Sequence, residues 1–405
     1  MFTPTPLQEQ LDRVRNDQLR VLIVGAGVAG LTLAQRLRVD GLFPVLVERA
    51  SDHSEAGYML ALMPLVDPVI RRIGAQQAYR QASAGFQRYR LHGHTGKLLR
   101  EYGMDALLEN FGDYRGIARG TLLEVLAQPE AAVSYATIVT SIRQTSDAVS
   151  VRFDSGGGIA DEDFDAVVLA DGLHSSSREL VLQPEEVAIY DTGWGGWVAW
   201  AGTDSASEGL GDEIWGEDFF VGIYPVKGLD GVIIGGNRTD TRDGPVAFVA
   251  RVRSRLGTID PRIARALAAI ESCVDPYFWS LTDCRCKTWT VGRVALLGDA
   301  AAGFLPTAGV GAAMSMESAN VLARRLLRTL PAQVPQALRD YERQQRPRVE
   351  SAQDNSRALA RLMFRRSRVL AVMRDVLAKL VPMKMALGPI RKLLETAPQE
   401  ATDKG

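Results

Sequence analysis

The fold is decided close to the N-terminus by the stretch Val21-Leu-Ile-Val-Gly-Ala-Gly-Val-Ala-Gly30. Its first four residues are all apolar, which predicts a strand buried on both faces, as in a parallel sheet. The glycines that follow have the spacing Gly-x-Gly-x-x-Gly, at Gly25, Gly27 and Gly30. Glycine at these positions permits a tight turn, a close approach of backbone to a pyrophosphate, and close packing of the next helix on the strand.

A second strand and an acidic residue extend this pattern. The run 45–47 is apolar and is followed by Glu48, whose carboxylate can accept hydrogen bonds from a ribose hydroxyl. The helix expected at Gly30 points its N-terminal N–H groups toward a phosphate. Strand, glycines, helix, strand and acid in this order predict a bound adenine dinucleotide.

Length and composition are those of an ordinary globular protein. At 405 residues the chain exceeds the size at which one core usually stops growing, so we expect two domains. The formal net charge of -1 gives no reason to expect nucleic acid as a partner. The first residues lack a signal-peptide pattern, and no apolar run has the length of a membrane span, which favours a cytoplasmic protein.

The cysteines and histidines predict no metal site. Cys284 and Cys286 are one residue apart and no second Cys/His pair completes a zinc site, so we interpret them as thiols of a reducing compartment. His92 and His94 lie in a predicted hairpin turn without a third ligand nearby. This favours solvated turn residues over a metal centre.

Two further buried strands, predicted over 165–170 and 293–297, each end in an aspartate and a glycine. The residues concerned are Asp171 and Gly172 with Arg178 downstream, and Gly298 and Asp299 with Pro306, Gly309 and Gly311 downstream. The second group precedes a helix predicted over 312–327. Glycines beside a helix start let the N-terminal dipole of the helix approach a ligand closely.

Arg119 lies at the start of a helix predicted within 117–126. The helix dipole does not favour a cation at this end, so an anion beside the side chain, such as a cofactor phosphate, explains its position. A surface salt bridge is the alternative.

The composition changes between Asp191 and Trp289, where glycines alternate with short β-like runs and all six tryptophans occur. We interpret this region as a separate sheet domain, with most of the tryptophans in its core. From Tyr341 onward the chain reads as helical. Three prolines predict breaks in this helical region: Pro347, Pro382 and Pro389.

Together, these motifs resemble those of the para-hydroxybenzoate hydroxylase family of single-component FAD-dependent aromatic monooxygenases, over about residues 19–348. The glycine run with Glu48 matches the family's FAD fingerprint. The run from Asp165 to Arg178 matches an Asp-Gly motif that touches FAD and is implicated in pyridine nucleotide binding. The Gly-Asp run at Asp299 matches the motif whose aspartate holds the ribityl chain, and Arg119 matches an arginine beside the cofactor.

The resemblance implies an α/β fold: a glutathione-reductase-type FAD-binding (Rossmann-like) domain with an inserted β-sheet substrate domain and a C-terminal helical region. The FAD-binding domain is expected in three parts, 19–75, 104–180 and 286–335. The substrate domain is expected in two parts, 76–103 and 181–285, and the helical region at 336–397.

The resemblance also implies the chemistry. An FAD-dependent hydroxylase of this family uses NAD(P)H and O2 to hydroxylate a small aromatic or heteroaromatic molecule through a flavin C4a-hydroperoxide, without a metal. The implied cofactor-binding residues are Gly25, Gly27, Ala29, Gly30, Glu48, Arg49, Arg119, Asp171, Gly172, Arg178, Gly298, Asp299, Val310, Gly311 and Ala312. The implied catalytic turn consists of Pro306, Gly309 and Gly311. The helix start at Gly311 can stabilise negative charge on reduced flavin.

The substrate pocket is expected between this turn and the sheet domain. Its candidate lining residues are Trp197, Trp215, Phe219 and Tyr224. Ala302 and Val310 depart from family patterns that often have histidine and glutamine, so no relative's substrate can be assigned to this chain. Val310 would make the pocket floor more apolar, which favours a larger, hydrophobic ring system over a small phenolic acid.

Some alternatives stay open at this point. Arg178 could bring the nicotinamide donor to the flavin or form a structural salt bridge. Rival functions are a halogenase or reductase of the same fold, or a non-catalytic flavin-binding relative. The Trp-x-Trp-x-Ile-Pro segment of halogenases is not matched by Trp197-x-x-Trp200. The oligomeric state is left open.

The segment 357–392 contains ten Lys or Arg residues and one acid, Asp375, among apolar residues. Its basic residues include Arg365, Arg366, Arg368, Lys379 and Lys384. The segment could lie on an anionic membrane surface, and it is the only part of the chain for which we expect membrane contact. The alternative is a helix packed on the FAD domain with a solvated basic face.

Overall fold

The structure of the protein, a computed structural model, describes residues 1–52, 57–104, 108, 111–156, 158–257, 259–380 and 388–398. Within these residues the α-helices are α1 (Leu7–Val14), α2 (Val28–Val39), α3 (Asp67–Arg72), α4 (Gln76–Ala82), α5 (Arg119–Leu126), α6 (Gly244–Arg255), α7 (Pro261–Ser272), α8 (Gly311–Leu326), α9 (Val334–Met363), α10 (Arg368–Leu380) and α11 (Gly388–Glu395). Short 3-10 helices include Gly298–Ala300 and Pro306–Ala308.

The strands of the described chain are β1 (Phe2–Pro4), β2 (Val21–Val24), β3 (Val45–Val47), β4 (Met59–Leu62), β5 (Ala84–Gly85), β6 (Arg88–His92), β7 (Leu98–Gly103), β8 (Arg115–Ala118), β9 (Ala131–Val133), β10 (Ile138–Gln144), β11 (Val149–Asp154), β12 (Ile159–Phe164), β13 (Ala166–Leu169), β14 (Val187–Gly202), β15 (Leu210–Trp215), β16 (Phe219–Val226), β17 (Leu229–Asn237), β18 (Tyr277–Cys286), β19 (Thr290–Val291) and β20 (Val294–Leu296).

The motif strands lie side by side in a five-stranded sheet with the order β19-β20-β13-β2-β3. β20, β13, β2 and β3 run parallel, and β19 is an antiparallel edge strand. Every residue of β2 and β13 is buried, as the lack of polar alternation in these strands predicts. Helices α2 and α8 pack against each other beside this sheet.

The second domain is built on a seven-stranded sheet, with the strand order β18-β14-β17-β16-β15-β6-β7. Helices α6 and α7 cover one of its faces. The other face turns toward the first domain, because Met59 and Leu305 of that domain pack on its Trp194 and Phe220. The predicted architecture is confirmed: an α/β domain with a mainly parallel sheet, a second domain built on an antiparallel-rich sheet, and a helical C-terminal region.

The tryptophans divide between the two domains. Trp194 and Trp197 are buried in the sheet domain, as predicted, whereas Trp200 is exposed. Trp289, at the end of the region where the composition changes, lies in the core of the first domain, with its ring 6.0 Å from the ring of Tyr341.

The hairpin predicted around His92 is confirmed as β6 and β7, but its histidines are not solvated. His92 is buried, with Nε2 2.8 Å from Asp212 Oδ1 and Nδ1 3.1 Å from the carbonyl oxygen of Gly96. His94 Nδ1 lies 2.7 Å from Asp375 Oδ2. Within the described residues, no group of three or more His, Cys, Asp or Glu side chains is arranged to hold a metal.

Helix α9 does not break at Pro347, contrary to the prediction. Pro347 is exposed, so water can solvate the carbonyl that the missing proline N–H leaves without a partner. Pro389 is the second residue of α11, where proline is tolerated, and Pro382 lies outside the described residues. No helix in the described part of the chain has both the length and the apolar character needed to cross a bilayer.

Helix α9 connects the two domains. Gln353 Nε2 donates to the carbonyl oxygens of Cys284, in β18, and Gly303, in the first domain, at 2.7 and 2.5 Å. One turn further, Arg357 binds the carboxylate of Asp283 with two hydrogen bonds of 2.9 and 2.6 Å. The helix is therefore bonded to both domains within a short part of its length.

Candidate cofactor and substrate site

Three loops meet at one edge of the parallel sheet, where β2, β13 and β20 end. They carry Gly25, Asp171 and Gly298, respectively. A Cβ atom at Gly25 would lie 2.6 Å from the carbonyl oxygen of Ala170, and Gly25 has a φ of +103°. Only glycine therefore lets the first two loops touch. Ligands of open α/β sheets bind at this carboxyl edge.

The first loop forms a cradle at the start of α2. A Cβ atom at Gly30 would lie 1.9 Å from the carbonyl oxygen of Gly25, so this glycine is needed for packing. Gly27 precedes α2, and a Cβ atom there would meet no atom of the described chain within 4 Å. The backbone at Gly27 therefore borders open space beside the N–H groups of the helix start. A pyrophosphate fits such a cradle.

Glu48 lies beside the cradle. Its Oε2 accepts a hydrogen bond from the N–H of Ala26, and its Oε1 accepts one from the N–H of Ala50, both at 2.9 Å. Each carboxylate oxygen can accept a second hydrogen bond, and a ribose hydroxyl can supply it. Of the neighbouring predicted residues, Ala29 is buried at the start of α2 and Arg49 is exposed.

Asp299 is brought to the same place by a turn that packs on α2. A Cβ atom at Gly298 would lie 2.7 Å from the Cβ of Ala29, and Gly298 has a φ of +62°. Behind this turn, the thiols of Cys284 and Cys286 donate to the carbonyl oxygens of Asp299 and Ala300. These cysteines are buried thiols, and burial raises the pKa of both.

Arg119 interacts with Asp299 across the cradle. Burial raises the pKa of Asp299 to about 6, and the positive charge of Arg119 partly opposes this rise. Arg119 begins α5, its backbone N–H donates to the carbonyl of Tyr58 at 3.0 Å, and its guanidinium hydrogen-bonds the Tyr58 hydroxyl. The Tyr58 ring stacks on Trp279, with centroids 4.5 Å apart. The protein itself therefore supplies an anion near Arg119, namely the carboxylate of Asp299.

The Asp-Gly motif has an internal role. Asp171 accepts hydrogen bonds from Ser175 Oγ and from the N–H of Ser177, at 2.5 and 3.1 Å, which fixes the loop. Arg178 is buried, and its guanidinium donates to the carbonyl of Ala300 at 2.8 Å. The side chain of Arg178 points into the protein and pairs with carbonyl oxygens and not with an acid, which favours a structural role over guidance of the nicotinamide donor.

Arg178→Ala should lower the free energy of unfolding of the protein by about 3 kcal/mol, because a buried carbonyl loses a charged donor. Urea unfolding monitored by tryptophan fluorescence measures this. Arg152→Ala, which removes an arginine from a fully exposed pair with Asp161, is the matched control and should change little. An unchanged unfolding midpoint with a raised KM for NAD(P)H would restore the nucleotide-binding interpretation.

The predicted catalytic turn joins the first domain to the substrate side. Pro306 begins a 3-10 helix that ends at Gly309, where φ is +61°, and α8 begins at Gly311. A Cβ atom at Gly309 would lie 3.1 Å from the hydroxyl oxygen of Tyr114. The side chain of Val310 is buried in the core of the first domain. The prediction that Val310 forms an apolar pocket floor is therefore wrong.

Two of the four predicted pocket residues are on the wrong face of the sheet. Trp197 and Phe219 pack beneath α6 and α7, away from the first domain. Successive residues of a strand point to opposite faces, so their neighbours Val198 and Phe220 face the first domain instead. Trp215 lies opposite Phe220 in the ladder, and Tyr224 packs with Phe220, so both predicted residues are on the facing side.

A carboxylate that sequence reasoning missed, Glu213, lies on this face. Glu213 Oε2 accepts a hydrogen bond from Trp215 Nε1 at 2.8 Å, and Oε1 accepts one from the Tyr224 hydroxyl at 2.7 Å. The Tyr89 hydroxyl also donates to Glu213. The signal was present in the sequence, because Glu213 is two residues before Trp215 on one strand and therefore on the same face.

The tyrosines around Glu213 are hydrogen-bond donors at any ordinary pH. Burial and the negative charge of Glu213 raise the pKa of Tyr89, Tyr114 and Tyr224. Each of the three side chains is half-buried, so part of its surface stays accessible to another molecule.

Fold and site together define a class of protein: a dinucleotide-binding α/β domain whose cofactor edge faces a second, sheet domain, as in flavin-dependent hydroxylases. A family model described as "FAD binding domain" matches residues 18–356. The chain belongs to this family, which is that of the para-hydroxybenzoate hydroxylase type, and the predicted resemblance is confirmed.

Similar proteins support this assignment. A 3-amino-4-hydroxybenzoate 2-monooxygenase of Streptomyces platensis is 28% identical over 361 residues, which cover 86% of this chain and 89% of the relative. A 6-hydroxynicotinate 3-monooxygenase of Pseudomonas fluorescens is 27% identical over 335 residues, 76% and 82% of the two chains. The crystal structure of Klebsiella pneumoniae HpxO with FAD and uric acid has the same fold, with a TM-score of 0.82, 21% identity, and coverage of 94% and 97%.

Proposed function

We propose that the first domain holds FAD and that the protein is a hydroxylase that uses NAD(P)H and O2. The open space at Gly27 supports a pyrophosphate position, and the remaining acceptor capacity of Glu48 supports a ribose contact. Asp299 and Arg119 support a contact with the ribityl chain. When bound, FAD reduced by NAD(P)H would supply the activated oxygen for hydroxylation of an aromatic substrate.

The observation that carries this proposal is that the predicted catalytic turn, residues 306–311, lies next to a group of aromatic side chains. We call this group the aromatic wall; it consists of Phe86, Tyr89, Tyr114, Trp215 and Tyr224. The Tyr114 hydroxyl reaches the Gly309 turn, and the Tyr114 ring packs against Phe86, with centroids 4.7 Å apart. Phe86 also packs against Tyr224, which binds Glu213. Backbone N–H groups at the start of α8 can stabilise negative charge beside this turn, and the rings exclude water from it.

We infer that the substrate is a fairly hydrophobic aromatic or heteroaromatic molecule without a free carboxylate. The facing side of the sheet presents aromatic rings to a flat molecule, and Glu213 disfavours a second negative charge beside them. The remaining acceptor capacity of Glu213 suits an N–H or O–H group on the ring. The carboxylate compounds in the names of the two relatives would fit this wall less well.

Labelled dioxygen tests the proposed reaction. Purified protein with FAD is screened for substrate-stimulated NAD(P)H oxidation against matched ring compounds that differ by one carboxylate group. We expect faster oxidation with the uncharged member of a pair, and a product that carries one atom from labelled O2. Product oxygen from water, or turnover without O2 uptake, contradicts the hydroxylase assignment. Preference for the carboxylates contradicts only the substrate class.

The affinity for FAD should depend on pH through Asp299. A ribityl hydroxyl donates to the ionised carboxylate, so bound FAD favours ionisation, whereas the free protein has a pKa of about 6 at Asp299. The Kd for FAD should therefore be constant above pH 6 and rise as the pH falls through 6, by at most about tenfold per pH unit. Flavin fluorescence titration measures the Kd.

Asp299→Asn is the matched control, because the amide does not titrate. This variant should bind FAD more weakly than the wild type, and its Kd should depend less on pH. The Asp299 carboxylate also affects the stability of the protein without FAD. Since its folded pKa lies above the unfolded value, its contribution to stability is present at low pH and is lost as the pH rises through about 6. A wild-type Kd that falls with decreasing pH would contradict this role.

A further inference from the structure

Helix α10 has the reverse of the usual amphipathic orientation. The residues that it buries against the protein are Ala371, Arg374 and Asp375. The residues that it turns outward are large and aliphatic, between 43% and 70% exposed: Val369, Leu370, Val372, Met373, Val376, Leu377 and Leu380. A helix that only packed on the domain would bury this apolar face. The predicted solvated basic face is therefore wrong for α10, whose outward face is mainly apolar.

Polar contacts hold the helix in this orientation. Arg374 donates to the carbonyl oxygen of Met363 at 3.2 Å and also to that of Trp215. Asp375 accepts a hydrogen bond from the N–H of His94 at 2.9 Å. A Cβ atom at Gly93 would lie 2.2 Å from Asp375 Oδ2, so the hairpin turn has room for this carboxylate only because residue 93 is glycine. Turning the apolar face inward would break these contacts, so the carbonyl oxygens of Met363 and Trp215 and the N–H of His94 would lose these partners, which is costly.

The charges at the edge of the apolar face are positive. Arg366, Arg368 and Lys379 are exposed, and Asp375, the one acid between residues 361 and 380, is buried. Two copies that met through this face would bring like charges together without an exposed acid from the segment to pair with them. Arg366 Nε already lies 3.8 Å from Asp218 Oδ1, whereas an anionic surface would pair with Arg368 and Lys379.

We propose that α10 docks the protein on an anionic lipid bilayer. The helix would lie in the plane of the interface, with its aliphatic face among the acyl chains and its basic residues among the headgroups. Its 13 residues extend over about 20 Å, too short to span the bilayer. This surface does not depend on the reaction proposed above.

Vesicle flotation of the purified full-length protein with FAD tests the docking. We expect binding to vesicles of phosphatidylcholine mixed with phosphatidylglycerol, weaker binding to phosphatidylcholine alone, and loss of the difference at high salt. The double variant Val376→Glu and Leu380→Glu should lower the partition coefficient at least about tenfold. Ile159→Glu and Val274→Glu change exposed aliphatic residues elsewhere and should leave it unchanged.

A second measurement locates the contact. A fluorophore sensitive to polarity, attached at Met373→Cys, should shift to the blue with anionic vesicles, whereas the same label at Val274→Cys should not. The proposal is overturned if the wild-type protein binds neither vesicle, or if the control variants bind as poorly as the double variant. It is also overturned if light scattering shows a dimer that the double variant converts to a monomer, since a second copy then covers the face.

Discussion

Gly27→Ala will give a folded apoprotein that binds FAD about 100-fold more weakly than the wild type, a loss of about 2.8 kcal/mol. In the free protein the new methyl group meets no described atom within 4 Å, and the φ of -73° at this position suits alanine. The methyl group would occupy the space through which a pyrophosphate approaches the backbone. Thermal melting of the apoprotein checks the fold, and quenching of flavin fluorescence measures the Kd.

Variants of two other glycines distinguish an effect on FAD binding from an effect on the stability of the fold. Gly202→Ala makes the same chemical change in open space at the end of β14, so melting and Kd should both match the wild type. Gly30→Ala brings a methyl group 1.9 Å from the carbonyl oxygen of Gly25, and it should destabilise the apoprotein itself by about 3 kcal/mol or more. A wild-type Kd for Gly27→Ala would mean that the phosphates bind elsewhere.

Glu213→Leu should lower kcat/KM for the substrate by about 100-fold. The change removes the common acceptor of Trp215 Nε1 and the Tyr224 hydroxyl, and each donor left without a partner costs about 1–3 kcal/mol. The wall should then lose its shape, and its preference for substrates without a carboxylate should weaken. Steady-state kinetics with paired ring compounds measures both effects.

Glu213→Gln keeps the volume and one acceptor oxygen, so it should recover much of the rate while it also relaxes the selection against carboxylates. Glu101→Gln is the control, because Glu101 is a carboxylate of the same sheet that pairs with surface arginines. Wild-type kinetics and selectivity in Glu213→Leu would remove Glu213 from the substrate site.

The cofactor edge could be predicted from the sequence because its determinants are local. Four apolar residues in a row specify a strand buried on both faces, and glycines at Gly25 and Gly30 are demanded by contacts within one strand–turn–helix unit or with the adjacent strand. The residues of such a unit are close together in the sequence, so the pattern is visible in a single sequence. The parallel sheet and the three converging loops follow from it.

The substrate face could not be predicted in the same way. Residue type predicts which side chains suit an aromatic pocket, but it does not give the phase of the strand, and Val198 faces the first domain where the sequence predicts Trp197. Phase is also difficult to follow along β14, because its pairing with β18 is irregular between Asp191 and Gly195. Each such irregularity changes which residues of a strand face the partner domain.

The role of Arg178 depends on contacts that are distant in sequence. Its acceptor at Ala300 is 122 residues away, and no local pattern connects the two. The orientation of α10 is similar in this respect, since a hydrophobic pattern alone predicts that the apolar side faces inward. Only the contacts of Arg374 and Asp375 with the sheet domain reveal the opposite.

The hydrogen bonds of α9 limit which parts of this protein can be exchanged for those of a relative in a chimera. Gln353 binds the end of the sheet domain and the cofactor domain with one amide group, and Arg357 binds Asp283 next to it. A hinge opening between the domains would break these bonds, so they oppose such a movement. A chimera that receives the sheet domain of a relative must also receive the matching part of α9. The sheet and the helix therefore form one unit of inheritance, although residues 287–333 separate them in the chain.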